Sequence, residues 1–214
     1  MNSMNTLHTP FVKVCGQTHH SSIDNAIALG SRMCGFVFHP TSPRSVSPRR
    51  AAMLESGPLK RVGVFVDQNA AEILDDIAIA RLDFAQLHGA QNTACAKAIG
   101  PQRVIRVLWP QRYDSVGALQ REIDRWAECC AFYLLDGGCC GGGSGQAWDV
   151  SQAVRLRFPR PWILAGGLTP GNLAEAVAAC RPDGVDLNSG VEMAPGLKCA
   201  DRLLAAFRAI DRAA

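Results

Sequence analysis

The chain has 214 residues, 48% of them hydrophobic and 19% charged, with 22 basic side chains against 19 acidic ones. That much apolar surface excludes a disordered chain, and the near-balance of charge gives no reason to expect a nucleic-acid partner. No apolar stretch reaches the ~18 residues of a membrane helix, and no basic residue precedes Lys13 in a segment without an apolar run, so neither a membrane association nor a secretory signal is expected, and a cytoplasmic location is the default. Residues 1–10 read as a flexible N-terminal extension and 11–214 as one domain.

In chain order, short apolar runs alternate with amphipathic segments. Strands are expected at 11–15, 34–38, 61–66, 84–88, 104–108, 132–135, 162–165 and 185–187. Helices are expected between and after them, at 23–29, 48–54, 70–80, 93–99, 116–127, 150–158, 173–180 and 201–210. Asn69 with Glu72 and Asn172 with Glu175 carry the spacing of a capping box. Strict alternation implies parallel strands joined by right-handed crossovers. Eight such units close naturally into a single-domain α/β fold, an eight-stranded parallel (β/α)8 barrel. An open doubly wound sheet is the alternative. It often carries a G-x-G-x-x-G turn after its first strand, where this chain has Cys15-Gly16-Gln17.

Polar residues inside strands should then point into the barrel, since the other face packs on helices. Lys13 shares a face with Cys15, Gln86 with His88, Leu134 with Asp136 and Asp186 with Asn188, while Arg106 stands alone in an apolar strand. All lie near the C-terminal strand ends, where barrel enzymes place their sites. Cys15 reads as a buried thiol or, beside Lys13, as a thiolate base or nucleophile. Asp136 reads as a turn cap or as an acid with a raised pKa. The glycine-rich run 137–145 that follows it has the composition of a lid. Gly166-Gly167 and Asn188-Ser189-Gly190 follow the last two strands, where backbone N–H groups can hold phosphate. Arg44, in a proline-stiffened loop, can grip a carboxylate in bidentate fashion, and His88 faces the rim.

Nine cysteines is an odd number, and with no secretory signal they are expected as free thiols. Cys129-Cys130 and Cys139-Cys140 flank opposite ends of one strand, roughly 15 Å apart, too far for one zinc shell.

Taken together, Lys13-Val14-Cys15-Gly16, Ser42-Pro43-Arg44, Gln86-Leu87-His88-Gly89, Leu135-Asp136, Ala165-Gly166-Gly167-Leu168 and Asn188-Ser189-Gly190-Val191-Glu192 resemble the phosphoribosylanthranilate isomerase family of tryptophan biosynthesis in order and spacing, from about Val12 to Ile210. The resemblance implies an Amadori rearrangement of N-(5-phosphoribosyl)anthranilate to 1-(2-carboxyphenylamino)-1-deoxyribulose 5-phosphate. It implies Asp136 as general acid, Cys15 as general base, Arg44 as the holder of the anthranilate carboxylate, and Gly166, Gly167, Asn188, Ser189 and Gly190 as the phosphate site, while inward parity adds His88 and Asp186 as substrate-binding residues. It also implies a small phosphorylated substrate as the partner, no cofactor or metal, and a monomer or homodimer. Ser21 and Ser22 stand where the family commonly has acids, and either serine can cap the first helix. A sugar-phosphate epimerase, an aldolase or a catalytically inert barrel are the competing readings. An aldolase would need a Schiff-base lysine at the rim, whereas Lys13 lies two residues before the expected strand end.

Overall fold

The computed structural model describes residues 9–137 and 149–213. Residues 1–8 of the expected extension and most of the glycine-rich run, 138–148, lie outside the described residues, and with them Cys139 and Cys140.

Eight parallel strands form a closed barrel in sequence order: β1 (Phe11–Val14), β2 (Met33–Val37), β3 (Lys60–Phe65), β4 (Phe84–Leu87), β5 (Val104–Leu108), β6 (Phe132–Asp136), β7 (Trp162–Ala165) and β8 (Gly184–Leu187). Pairing of β1 with both β2 and β8 closes it, which removes every sheet edge and excludes the open doubly wound alternative. Helices α1 (His20–Ala28), α2 (Pro48–Met53), α3 (Ala70–Ala80), α4 (Thr93–Ile99), α5 (Val116–Arg125), α6 (Leu173–Cys180) and α7 (Ala200–Ala213) connect and follow the strands. Between β6 and β7 the expected helix at 150–158 is instead a short 3-10 helix, Val150–Arg155. No helix among the described residues is long and apolar enough to cross a membrane.

Register fixes which side chains share a face. Lys13 pairs with Met33 and Asp186, and Gln86 with Ile105, so these point inward together. Met33, Val62, Ile105, Val107, Leu134, Ile163 and Ala165 fill the interior as a separate cluster. The alternate residues, such as Val12, Val14, Phe36, Leu87, Leu135 and Leu187, are buried against the helices.

Arg106 departs from the inward rule. Its register partners Leu87 and Tyr133 belong to the helix-facing layer, so it points outward with them. There its guanidinium lies 4.3 Å from the Trp126 ring centroid and donates to the carbonyls of Gly89 and Gln91. An aromatic face and two carbonyls partner the cation there, while its Nε has no acceptor among the described residues.

The expected caps divide. Asn69 and Glu72 form the full capping box at the start of α3. Asn172 makes no side-chain cap to α6; its amide instead accepts from the Thr169 N–H and donates to the Gly167 carbonyl, tying down the loop after β7. At α1 the cap residue is His19, whose side chain makes no capping bond, while Ser21 and Ser22 lie inside the helix. Ser22 donates to the His19 carbonyl.

One addition sits outside the barrel. After β8 a 3-10 turn, Ser189–Val191, leads into an antiparallel hairpin of β9 (Glu192–Ala194) and β10 (Leu197–Lys198), which precedes α7.

Candidate active site

At the C-terminal end of the barrel a cavity of about 390 Å³ opens. Cys15, Arg44, His88, Asp136, Gly166, Gly167, Asp186, Asn188, Ser189 and Gly190 all line it, so one site brings together every residue that the sequence singled out for chemistry or binding. Gln86 lines it as well and was missed as a site residue; its inward parity with His88 was the available signal.

Cys15 follows β1 and is buried. The neighbouring strand makes room for it: a Cβ at Gly35 would stand 2.7 Å from the Cys15 Sγ. Lys13, one pleat deeper, has no exposed surface and donates to Asp186 Oδ2 at 2.7 Å. Such a buried amine, already held by a carboxylate, lies below the rim, which argues against a Schiff-base role.

The expectation that Lys13 would leave Cys15 as a thiolate is corrected by burial. Desolvation raises the thiol's pKa, the Lys13 charge lowers it, and the Asp186 charge raises it again, with the net direction upward. Burial also pushes the Asp186 carboxyl up, against the pull of Lys13, and the Asp136 charge adds to the rise. Cys15 therefore rests as a thiol near the Lys13–Asp186 pair.

Asp136 ends β6 and pairs in register with Ala165 of β7. This places the carboxyl across the mouth from the first strand, among the residues that line the same cavity. His88 packs edge-on to Trp109, with ring centroids 5.1 Å apart. Burial, reinforced by the Lys13 charge, lowers its pKa to about 4, so it is neutral near pH 7. Among the described residues, His88 Nδ1, Gln86 Oε1 and Asp186 Oδ1 are buried without a hydrogen-bond partner. Native interiors rarely leave such atoms unpaired, and three around one cavity mark polar positions for a ligand.

The loops after β7 and β8 form the other wall. Gly166 and Gly167 have φ of 97° and 64°, a region that side chains with a Cβ rarely adopt. Gly190 is required by close packing: a Cβ there would meet the Leu168 carbonyl oxygen at 1.9 Å. Asn188 leads into the 3-10 turn, and Lys198 Nζ donates to its carbonyl at 3.3 Å and its Oδ1 at 2.9 Å. A cation is thus hydrogen-bonded to Asn188, the first residue of the loop expected to hold an anion.

Arg44 does grip a carboxylate, as its loop position implied, but an internal one. Its Nε donates to both oxygens of Glu192 at 3.0 and 3.1 Å, and its Nη2 to Oε2 at 2.6 Å. Glu192 had no role legible in the chain beyond membership of a motif, because its partner lies 148 residues away. Gly16 lets these parts converge. At φ 72°, a Cβ there would stand 2.8 Å from Arg44 Cδ and 2.9 Å from Asn188 Oδ1.

The family model described as "N-(5'phosphoribosyl)anthranilate (PRA) isomerase" matches residues 12–208. An N-(5'-phosphoribosyl)anthranilate isomerase of Desulfovibrio desulfuricans is 56% identical, over 92% of this chain and 93% of that one. The crystal structure of phosphoribosyl anthranilate isomerase from Thermus thermophilus superposes with a TM-score of 0.79 at 38% identity, covering 94% of this chain and 98% of that one. A phosphoribosyl anthranilate isomerase in complex with reduced 1-(o-carboxyphenylamino)-1-deoxyribulose 5-phosphate superposes with a TM-score of 0.79 at 29% identity, covering 95% of this chain and 99% of that one.

Proposed function

The chain belongs to the N-(5'-phosphoribosyl)anthranilate isomerase family of tryptophan biosynthesis, and from that premise we propose that Cys15 and Asp136 carry its proton transfers. Asp136 gives a proton to the furanose ring oxygen of N-(5-phosphoribosyl)anthranilate. The C1–O bond breaks as the nitrogen lone pair forms the C1=N iminium. Cys15, acting as thiolate, takes the proton from C2, and the C2–H pair becomes the C1=C2 bond of an enolamine while the iminium pair returns to nitrogen. Tautomerisation gives the ketone of 1-(2-carboxyphenylamino)-1-deoxyribulose 5-phosphate. The balance closes with proton transfers alone.

The single observation that carries this reading is that a buried thiol and a strand-end carboxyl line one cavity with two possible anion sites. The resting thiol is consistent with the sequence of steps. The thiol must first give its proton to solvent at the cavity mouth; the positive charge that appears on the substrate after ring opening adds to the Lys13 ammonium in favouring that loss, and the thiolate then takes the C2 proton.

Backbone N–H groups of Gly166, Gly167, Asn188, Ser189 and Gly190 hold the phosphate, with the Lys198 charge behind them. Arg44 holds the anthranilate carboxylate. Gln86, His88 and Asp186 face the ribose with their unpaired atoms. That a solved relative is in complex with reduced 1-(o-carboxyphenylamino)-1-deoxyribulose 5-phosphate supports a phosphorylated ligand of this class.

Rescue of a tryptophan auxotroph lacking the isomerase step tests the assignment. The unmodified chain restores growth, whereas Cys15→Ser and Asp136→Asn, expressed to the same level, do not. Growth with either variant would remove that residue from its role.

A further inference from the structure

Arg44 is half-buried, at 20% side-chain exposure, and its partner Glu192 is at 4%. Glu192 is itself fixed on every side. Its Oε1 accepts from the Gly196 N–H at 3.1 Å and from Lys198 Nζ at 2.7 Å, and Arg202 of α7 donates to its carbonyl. The hairpin β9–β10 thus folds back on its own first residue. A barrel closed by β1 and β8 needs no such hairpin for its core. Burial alone would raise the Glu192 pKa, but the hydrogen bonds from Arg44 and Lys198 outweigh it and hold the carboxyl below its ordinary range, so it is charged.

A guanidinium offers two edges for bidentate recognition, one of Nε with Nη2 and one of Nη1 with Nη2. Glu192 takes Nε and a proton of Nη2. What remains is the Nη1–Nη2 edge, on a side chain that lines the cavity.

We propose that Glu192 is a positioning residue for the substrate's aromatic carboxylate: by occupying one edge of Arg44 it presents the other edge to the substrate, already oriented and desolvated. This rests on the reading of Arg44 as the carboxylate holder. An arginine left free in the loop would have to be ordered by each substrate molecule, whereas one locked by an internal fork meets it in a single geometry. Glu192 carries one negative charge between the two cations Arg44 and Lys198, so the cluster keeps a net positive charge for an incoming anion. The same carboxylate also ties the hairpin's Lys198, and through it Asn188, to Arg44, which fixes the spacing between the two anion-binding ends of the cavity.

The test compares two substrates, N-(5-phosphoribosyl)anthranilate and the analogue built on aniline, which lacks the carboxyl. In Glu192→Gln the amide keeps the shape but loses the charge and sets donors against donors. KM for the anthranilate substrate should rise about tenfold, the scale of one spoiled charge-assisted contact, with a smaller change in kcat. KM for the aniline analogue should rise much less, so that the preference between the two substrates collapses. Glu192→Asp, which keeps the charge on a shorter arm, should reduce the preference in the same direction and is the variant to read if Glu192→Gln does not fold. An equal rise on both substrates, or an unchanged preference, overturns the proposal. Arg44→Ala separates the two levels of inference. If it leaves the preference intact, the carboxylate is not held by Arg44. If it abolishes the preference while both Glu192 variants retain it, Arg44 keeps its role and Glu192 loses its own.

Discussion

At the N-terminal end of the barrel Phe11, Phe84 and Phe132 fill the interior, with Phe132 edge-on to the other two at centroid distances of 5.9 and 5.5 Å. At the C-terminal end the same strands β1, β4 and β6 lead instead to Cys15, to Gln86 and His88, and to Asp136, around an open cavity. Between the two ends lies a fully buried ion pair, Lys13 with Asp186. The floor is packed ring against ring, with the Arg32 guanidinium 5.1 Å from the Phe11 ring centroid. The mouth leaves Gln86, His88 and Asp186 each with a buried polar atom unpaired among the described residues. One end is arranged for stability, and the other gives up some stability for a ligand.

The sharpest way to break this comparison is to change chemistry at the mouth alone. Cys15→Ala and Asp136→Asn should each lower turnover by about 10²- to 10⁴-fold, the range of general acid–base catalysis, with the thermal midpoint little changed. Steady-state kinetics on folded protein checks it, and near-normal turnover would deny the mouth its role.

The converse change belongs to the interior below it. Ile105→Ala removes a fully buried side chain of the inner cluster that does not line the cavity. It should cost about 2–5 kcal/mol of stability in urea unfolding, with kcat unchanged at temperatures where the protein stays folded. A large loss of kcat there would mean that the two ends are coupled.

Within the mouth, Gly167→Val places a branched side chain at φ 64° in the loop after β7. KM for the phosphorylated substrate should rise about tenfold or more, one decade being the smallest loss that a displaced anion contact would cause. Unchanged KM would move the phosphate elsewhere, and an anion bound beside Arg44 would exchange the two ends of the substrate.

The last expected effect is a pH dependence of stability. The His88 pKa falls from 6.5 in the unfolded chain to about 4 in the folded one, so the unfolded state binds more protons between those values. This contribution to stability is fully present above pH 6.5 and is lost progressively as pH falls toward 4. Urea midpoints measured across that window should decline less steeply in His88→Gln than in the unmodified chain. Equal slopes would show that His88 is not the buried neutral imidazole described above.

Much of this was legible in the chain because it depends on local pattern. Short apolar runs alternating with amphipathic segments defined the eight strands of a closed barrel, and inward parity placed Cys15, His88, Asp136 and Asp186 at one mouth. Alternation and strand ends are properties of neighbours in sequence, and the glycines after β7 and β8 mark backbone shapes that few other residues accept. Parity failed at Arg106, because a single charge in an apolar strand says nothing about what the opposite face offers; only packing brought Trp126 and two carbonyls to it. Composition was equally silent on whether Lys13 or burial would control Cys15, since that depends on how much water the closed barrel excludes. The Arg44–Glu192 fork joins residues 148 apart, and the Lys13–Asp186 pair joins residues 173 apart. Such pairs are decided by barrel closure, which brings the first and last strands side by side. A charge finds its partner across that seam only once the chain has folded, because Coulomb attraction depends on distance in space and not on separation along the sequence.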